Sequence, residues 1–290
     1  MLSAIFNSLR PLQWIKNSVL FAALVFAGEV LNLDKVLLSV IGFIIFCMLS
    51  SSIYVINDLV DKSKDKLHPL KKDRPIALGE ISSTTALAIS ILLLVISLSL
   101  SFYISLNFFI ISLSFIILNL LYTFILKNVV IIDVLTIALS FVIRAHAGAV
   151  IIGVPTSKWM LINTLLLALF LGFGKRRHEL IFLKHTASAH RKSLGKYSPY
   201  LLDQLIGVVT GAVVVMYMLY SFSTEVSQKL GTENLFLTIP FVIYGIFRYL
   251  YLIHREEEGG SPSKILINDR PILLTVLFWI LTVIITLYLL

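Results

Sequence analysis

The feature that most limits this chain is a succession of apolar runs, most about 18 residues or longer, divided by shorter polar stretches. Candidate runs cover residues 13–30, 35–57, 84–103, 107–126, 129–153, 159–174, 203–223, 235–253 and 271–290. A helix rising 1.5 Å per residue crosses a hydrocarbon layer of about 30 Å in about 20 residues, and only helices or closed barrels satisfy their own backbone there. The runs show no period-two alternation, so the expected fold is an all-α membrane protein of about nine transmembrane helices. Composition agrees: 58% of the 290 residues are hydrophobic and only 14% charged, more apolar surface than a soluble core of that size buries.

The net charge of +8 raises the possibility of nucleic acid, but the charges follow the alternation of the runs instead. With the N-terminus inside, the inner segments hold twenty Lys and Arg and the outer ones only Lys35, Lys158 and Lys229, leaving Arg144 within a run. That asymmetry argues against a nucleic-acid partner and supports an odd number of crossings, with the C-terminus outside. No small-residue cleavage site follows the first run, so Arg10, Pro11 and Lys16 read as a retained cytoplasmic segment. Cys47, the single cysteine, lies within a run and reads as a small core residue.

Cytoplasmic loops are expected at 58–83, 174–202 and 254–270. The first two are four runs apart, which hints at two similar halves, although no residue-level repeat supports it. The third carries Glu256, Glu257 and Glu258 before Gly259-Gly260-Ser261-Pro262, a solvated helix end followed by a turn.

Chemistry concentrates where the second run enters the first loop, at Asn57, Asp58, Asp61 and Asp65. If the helix continues, positions 58, 61 and 65 lie within an arc of about 60°, placing three carboxylates on one face near a helix C-terminus. Such an arrangement calls for a cation, and an all-oxygen set suits Mg²⁺, which also binds phosphate oxygens. The alternative is a solvated loop in which Lys62, Lys64 and Lys66 neutralise the aspartates. Downstream, His68-Pro69 and Lys71-Lys72-Asp73-Arg74-Pro75 crowd cations beside the acids, a composition suited to clamping a diphosphate.

The run Asn57 to Asp65 resembles the Asn-Asp-x-x-Asp-x-x-x-Asp signature of the UbiA superfamily of membrane prenyltransferases. Arg10-Pro11-Leu12-Gln13-Trp14-Ile15-Lys16-Asn17, His68-Pro69, Arg74-Pro75-Ile76-Ala77 with Gly79, Gly172-Phe173-Gly174-Lys175-Arg176-Arg177-His178-Glu179, Gly259-Gly260-Ser261-Pro262 and Asp269-Arg270 are similar to one branch, the decaprenyl-phosphate phosphoribosyltransferases. The resemblance covers nearly the whole chain. It implies one integral-membrane UbiA-like domain over 1–290, a bundle with a central cavity open to the cytoplasm. It implies Mg²⁺-dependent transfer of phosphoribose from phosphoribosyl pyrophosphate to a polyprenyl phosphate, with Asp58, Asp61 and Asp65 as metal ligands and catalytic acids.

Aromatic prenyltransferases of the superfamily carry a second acidic cluster after the sixth span, whereas residues 174–202 contain only Glu179 as an acid and begin with lysine at 175. Lys175, Arg176 and Glu179 share a helical edge, and a donor or acceptor bearing further phosphates gives those cations a role. Arg177 also reads as an ordinary positive flank. Lys16, Asn57, Lys71, Lys72, Arg74, Lys175, Arg176 and Glu179 complete the expected substrate-binding set with Tyr122 and Lys127, five residues apart where the superfamily commonly spaces them four apart.

Arg144 joins that set because an intramembrane arginine costs at least about 2.5–3.5 kcal/mol unless it faces a cavity or a partner. Helical rise puts it about 22 Å from Val129, which requires a deep cavity, a span that starts inside one, or snorkelling to the outer face. Asp133 lies about one turn into the same run. His146 reads as a hydrogen-bonded span residue, His178, His185 and His190 as surface residues, and Gly148 and Gly153 as packing glycines. Two other functions remain open: aromatic prenyl transfer on the same fold, which the missing acidic cluster disfavours, and transport, which the one-sided charge disfavours. Transfer by the ionised lipid phosphate needs no general base, and no Ser-His-Asp or Cys-His arrangement supplies one.

Overall fold

The computed structural model describes residues 2–183, 192–255 and 262–289, and every regular element among them is helical. A short helix α1 (Leu2–Ser8) precedes a 3-10 helix (Pro11–Leu20) and α2 (Phe21–Phe26). Then come α3 (Leu33–Val60), α4 (Lys62–Leu67), α5 (Pro75–Leu78), α6 (Ser83–Ile104), α7 (Leu106–Phe124), α8 (Ile132–Ile151) and α9 (Lys158–Leu183). The chain ends with α10 (Pro199–Ser221), α11 (Thr224–Leu230), α12 (Ile239–Arg255), α13 (Pro262–Asn268) and α14 (Arg270–Tyr288). His185, His190 and the Glu256–Ser261 turn lie outside the described residues.

Eight helical stretches, one of them a 3-10 segment (Asn234–Thr238) running into α12, are long and apolar enough to span a bilayer, against the nine expected. The exception is the first run. Pro11 opens it as a 3-10 helix after Arg10 takes a left-handed φ of 55°, and it continues as the six residues of α2. The more extended 3-10 rise lets these sixteen residues reach about 29 Å, close to the hydrocarbon thickness.

Close packing dictates that slender shape. A Cβ on Gly148 of α8 would stand 2.1 Å from the Leu20 carbonyl oxygen, so the first run lies directly against the α8 backbone. Gly153 is different from expectation: at φ 68° with nothing near its Cβ position, it makes the left-handed turn after α8 rather than a helix contact.

Small hydroxyl residues bring α3 and α6 together in the same way. Ser52 donates to the Ser90 carbonyl at 2.9 Å and their hydroxyls lie 2.7 Å apart, both fully buried. The outward face of α6 carries Leu87, Ile91, Leu92 and Val95 exposed, as a lipid-facing helix requires. Helix α8 is central: Val134 and Ala138 join one apolar cluster with Phe170, Leu202 and Tyr249, and Ala147 and Ile151 join another with Phe46, Phe108 and Phe115.

Candidate active site

Helix α3 stops at Val60 and α4 starts at Lys62, with Asp61 between them at φ −93° and ψ 6°. That break distributes the carboxylates. Asp58 and Asp65 are 3% and 4% exposed and turn to one cation, whereas Asp61 turns to another. Arg74 Nη1 donates to Asp58 Oδ1 at 2.9 Å and to Asp65 Oδ2 at 2.5 Å, and Arg10 also bonds Asp58. Lys127, a residue 6% exposed, places Nζ 2.8 Å from both Asp61 oxygens.

The expected single face of three carboxylates joined by one ion is therefore corrected. Among the described residues no three acidic, cysteine or histidine side chains converge on a common metal position. Neutralisation comes from protein cations, and not from the adjacent Lys62, Lys64 and Lys66 of the solvated-loop alternative; Lys62 reaches Ser83 instead. The partners come from three distant stretches. Arg10 occupies the left-handed hinge after α1, Arg74 is held in extended backbone before Pro75, and Lys127 follows α7 in a short 3-10 turn.

A two-carboxylate seat still suits a small hard cation. The Arg74 nitrogen between Asp58 and Asp65 shows that one positive centre can be held by both, and Mg²⁺ is commonly bound by one or two carboxylates plus waters and substrate phosphates. Burial raises the Asp65 carboxyl above its ordinary pKa, while Arg74 and then Lys71 oppose the shift.

A polar cleft is lined by Asp61, Asp65, His68, Lys71, Lys127 and Glu179, and beside it stands a second charged cluster, where the start of α8 meets the last turns of α9. The sixth run does not end at 174; α9 continues to Leu183 and carries the basic motif on helix. Arg176, 1% exposed, donates from Nε to Asp133 at 2.7 Å, from Nη1 to Glu179 at 2.6 Å and from Nη2 to the Tyr122 hydroxyl at 3.2 Å. Lys175 lies 3.8 Å from Glu179 and within the electrostatic reach of Lys16, Arg176 and Lys71. Lys16 has no hydrogen-bond or ion-pair partner among the described residues and feels the positive charges of Arg144 and Arg10.

Two expected ligands stand elsewhere. Arg144 neither opens to a cavity nor snorkels: at 5% exposure its Nε donates to Asn17 at 2.8 Å, its Nη1 to the Ser140 hydroxyl and carbonyl, and its plane lies over Phe115 and Phe141. It is a tie between α8 and the first run, and its depth is satisfied by protein groups rather than by substrate. Lys72 is exposed and does not line the cleft, whereas Lys71 does. Asn57 is half-buried next to Asp58 on the last turns of α3. His146 meets Thr156 at 2.8 Å, His178 stacks on Phe182, and Cys47 is a buried partner of Asn17.

Arg10, Asp133, Ser193 and Tyr197 enter the site without having been selected from sequence. An acid inside a span was signal enough for Asp133. Nothing in spacing pointed to Ser193 or Tyr197, whose contacts are over sixty residues away.

Comparison with known proteins places this geometry. The profile of the UbiA prenyltransferase family matches residues 18–268. The chain is 34% identical over 294 residues to a decaprenyl-phosphate phosphoribosyltransferase of Mycolicibacterium smegmatis, covering 98% of this chain and 92% of that one. It is 31% identical over 287 residues to the enzyme of the same name from Corynebacterium glutamicum, covering 97% and 86%. Its fold matches a solved UbiA homolog from Archaeoglobus fulgidus bound to GPP and Mg²⁺, with a TM-score of 0.73 at 22% identity over 97% of this chain and 99% of that one.

Proposed function

This chain belongs to the UbiA prenyltransferase family, and from that premise we propose that it transfers 5-phosphoribose from phosphoribosyl pyrophosphate to a polyprenyl phosphate, releasing diphosphate. It is an integral membrane enzyme, and the reading places the N-terminus and the cleft on the cytoplasmic side and the C-terminus outside.

The observation that carries the proposal is the surplus of cations around the cleft. Asp58, Asp61, Asp65 and Glu179 are each already met by Arg or Lys, and Lys16 adds an amine that no described acid pairs. Where aromatic prenyltransferases place a second acidic cluster, α9 presents Lys175 and Arg176. Two substrates that both carry phosphate need that excess; a single diphosphate and a neutral acceptor do not.

Asp58 and Asp65 would hold Mg²⁺, with Asp61 beside them, and the ion supplies charge neutralisation for the departing diphosphate. When phosphate oxygens enter, Arg74, Arg10 and Lys127 have a second set of anions to bind, and Lys71 lies in the same cleft wall. From the α9 side Lys175 would meet the remaining phosphate groups, and Arg176 would do so by exchanging Glu179 for a phosphate oxygen. An oxygen of the ionised lipid phosphate forms the new bond to the anomeric carbon as the carbon–oxygen bond to diphosphate breaks, and diphosphate leaves with the electron pair. No proton has to be removed from the nucleophile, so the step needs no general base. The polyprenyl tail remains among the apolar helix faces.

The test is purified protein with labelled phosphoribosyl pyrophosphate, a polyprenyl phosphate and Mg²⁺, followed by lipid extraction. Label in the organic phase is the expected result. Label confined to water, with consumption of an isoprenyl diphosphate when an aromatic acceptor is added, would replace this reading with aromatic prenyl transfer.

A further inference from the structure

The short segment Ser193–Tyr197 contacts none of Asp58, Asp61 and Asp65, yet it is bonded to the backbone of Lys127 and to Asp133, the partner of Arg176. The Tyr197 hydroxyl accepts from the Ile131 amide at 2.7 Å and donates to Asp133 Oδ1 at 2.8 Å. The other oxygen of Asp133 accepts from Arg176 Nε at 2.7 Å and has the Ser193 hydroxyl 3.4 Å away. Ser193 also donates to the Lys127 carbonyl at 2.8 Å. Asp133 and Ser193 are fully buried and Tyr197 is 6% exposed, so these bonds form where water does not compete.

Each bond is local to a bend that needs holding. Ile131 has a φ of 68° and a ψ of −47°, the centre of a strained γ-turn closed by the Ile132 amide on the Val130 carbonyl at 2.8 Å, which a β-branched residue adopts only when its surroundings enforce it. Its amide, turned by that conformation, points at the tyrosine oxygen. Burial and the neighbouring Asp133 carboxylate push the Tyr197 phenol above its ordinary pKa, keeping the hydroxyl proton on the tyrosine as donor. Asp133 is thereby oriented with one oxygen toward Tyr197 and the other toward the guanidinium, which leaves Nη1 and Nη2 of Arg176 directed at Glu179 and Tyr122.

We propose that Tyr197, with Ser193, is a positioning residue for the phosphate-binding cations: Tyr197 sets the guanidinium of Arg176 through Asp133, and Ser193 sets Lys127 through its carbonyl. The inference rests on the reading of the cleft as a phosphate site and adds a determinant outside it. It also explains why Ser193–Tyr197 is buried against the start of α8: in this arrangement the segment is part of the site's scaffold.

The experiment is calorimetric titration of the full-length detergent-purified protein with inorganic diphosphate in the presence of Mg²⁺. Removing one hydroxyl from a buried network leaves the Ile131 amide and one Asp133 oxygen short of a partner, so Tyr197→Phe is expected to weaken binding about tenfold. In an Arg176→Gln background the same substitution is expected to have no further effect, because its influence runs through Arg176. Ser193→Ala, which disturbs packing least, is expected to weaken binding about threefold, and to lose that effect in a Lys127→Gln background. Binding by Tyr197→Phe within twofold of wild type, or equal losses with and without Arg176, would overturn the proposal; equal losses are what general destabilisation produces. Failure of the wild-type protein to bind diphosphate would instead remove the phosphate-site reading on which it rests.

Discussion

Replacing Arg74 with alanine tests the electrostatics of the candidate site without touching any carboxylate. Its Nη1 bridges Asp58 and Asp65, whose side chains are 3% and 6% exposed, while Arg74 itself is 23% exposed. Removing one partner of a fully buried pair costs about 3–5 kcal/mol because the remaining charge is stranded. Two features reduce that figure here: water reaches Arg74, and Asp58 keeps Arg10. Asp65 loses its ion-pair partner, so a loss of about 2–3 kcal/mol is expected, or about 5 °C in melting temperature for a chain of this size.

The sign with pH follows from Asp65. Burial already raises its pKa and Arg74 opposes the rise, so without Arg74 the carboxyl binds a proton more readily still. A protonated Asp65 does not need the cation, and the gap between Arg74→Ala and wild type should therefore narrow on acidification. Millimolar Mg²⁺ without phosphate should stabilise the variant more than wild type, since the seat between the carboxylates has lost its guanidinium. Thermal denaturation in detergent, followed by intrinsic fluorescence, reads all three. A melting temperature unchanged to within about 1 °C at neutral pH would refute the claim that these acids depend on Arg74.

Asp58→Asn keeps the shape of the seat and removes its charge; phosphoribosyl transfer is expected to fall at least about a hundredfold with the folded protein retained, and near-normal turnover would refute the metal role. Gly148→Ala inserts a methyl 2.1 Å from the Leu20 carbonyl oxygen, a backbone atom, so destabilisation at the upper end of the overpacking range, about 3 kcal/mol, is expected by thermal melting. Asp269 caps α14 and pairs with Arg248 at 2.8 Å, which lowers its pKa. Its stabilisation is present above the ordinary carboxylate pKa and disappears as pH falls through the depressed one, so wild type should lose stability below about pH 4 more steeply than Asp269→Asn.

The sequence was most legible where one dimension suffices. Apolar runs located eight spanning helices, because span length is set by the bilayer and not by tertiary contacts. The first run misled in form, since residues 13–30 read as one α-helix until Gly148 and Leu20 are brought together across more than a hundred positions. At the site, spacing alone put Asp58, Asp61 and Asp65 on one face by assuming a continuous helix; the break at Asp61 and the arrival of Lys127 divide them.

Arg144 shows the same limit from the other side. Its depth was correctly troublesome for a substrate ligand, but its actual partners, Asn17 and Ser140 with two aromatic faces, form only when the first run lies against α8. Tyr197 carried no pattern at all, because one hydroxyl bonded across the fold leaves no periodicity. What sequence did show at the site was chemical type: acids at one helix end, cations after it, and a basic motif after the sixth run.

The central physical claim is an exchange of partners: the aspartates give up protein cations for Mg²⁺ only when phosphate arrives to receive those cations. Calorimetric titration of wild-type protein with Mg²⁺, alone and with saturating inorganic diphosphate, tests it directly once the solution affinity of Mg²⁺ for diphosphate is subtracted through the same titrations on Asp58→Asn. Mg²⁺ should bind at least about tenfold more tightly when diphosphate is present, the reciprocity that coupled sites require. Equal affinity in the two titrations would contradict it.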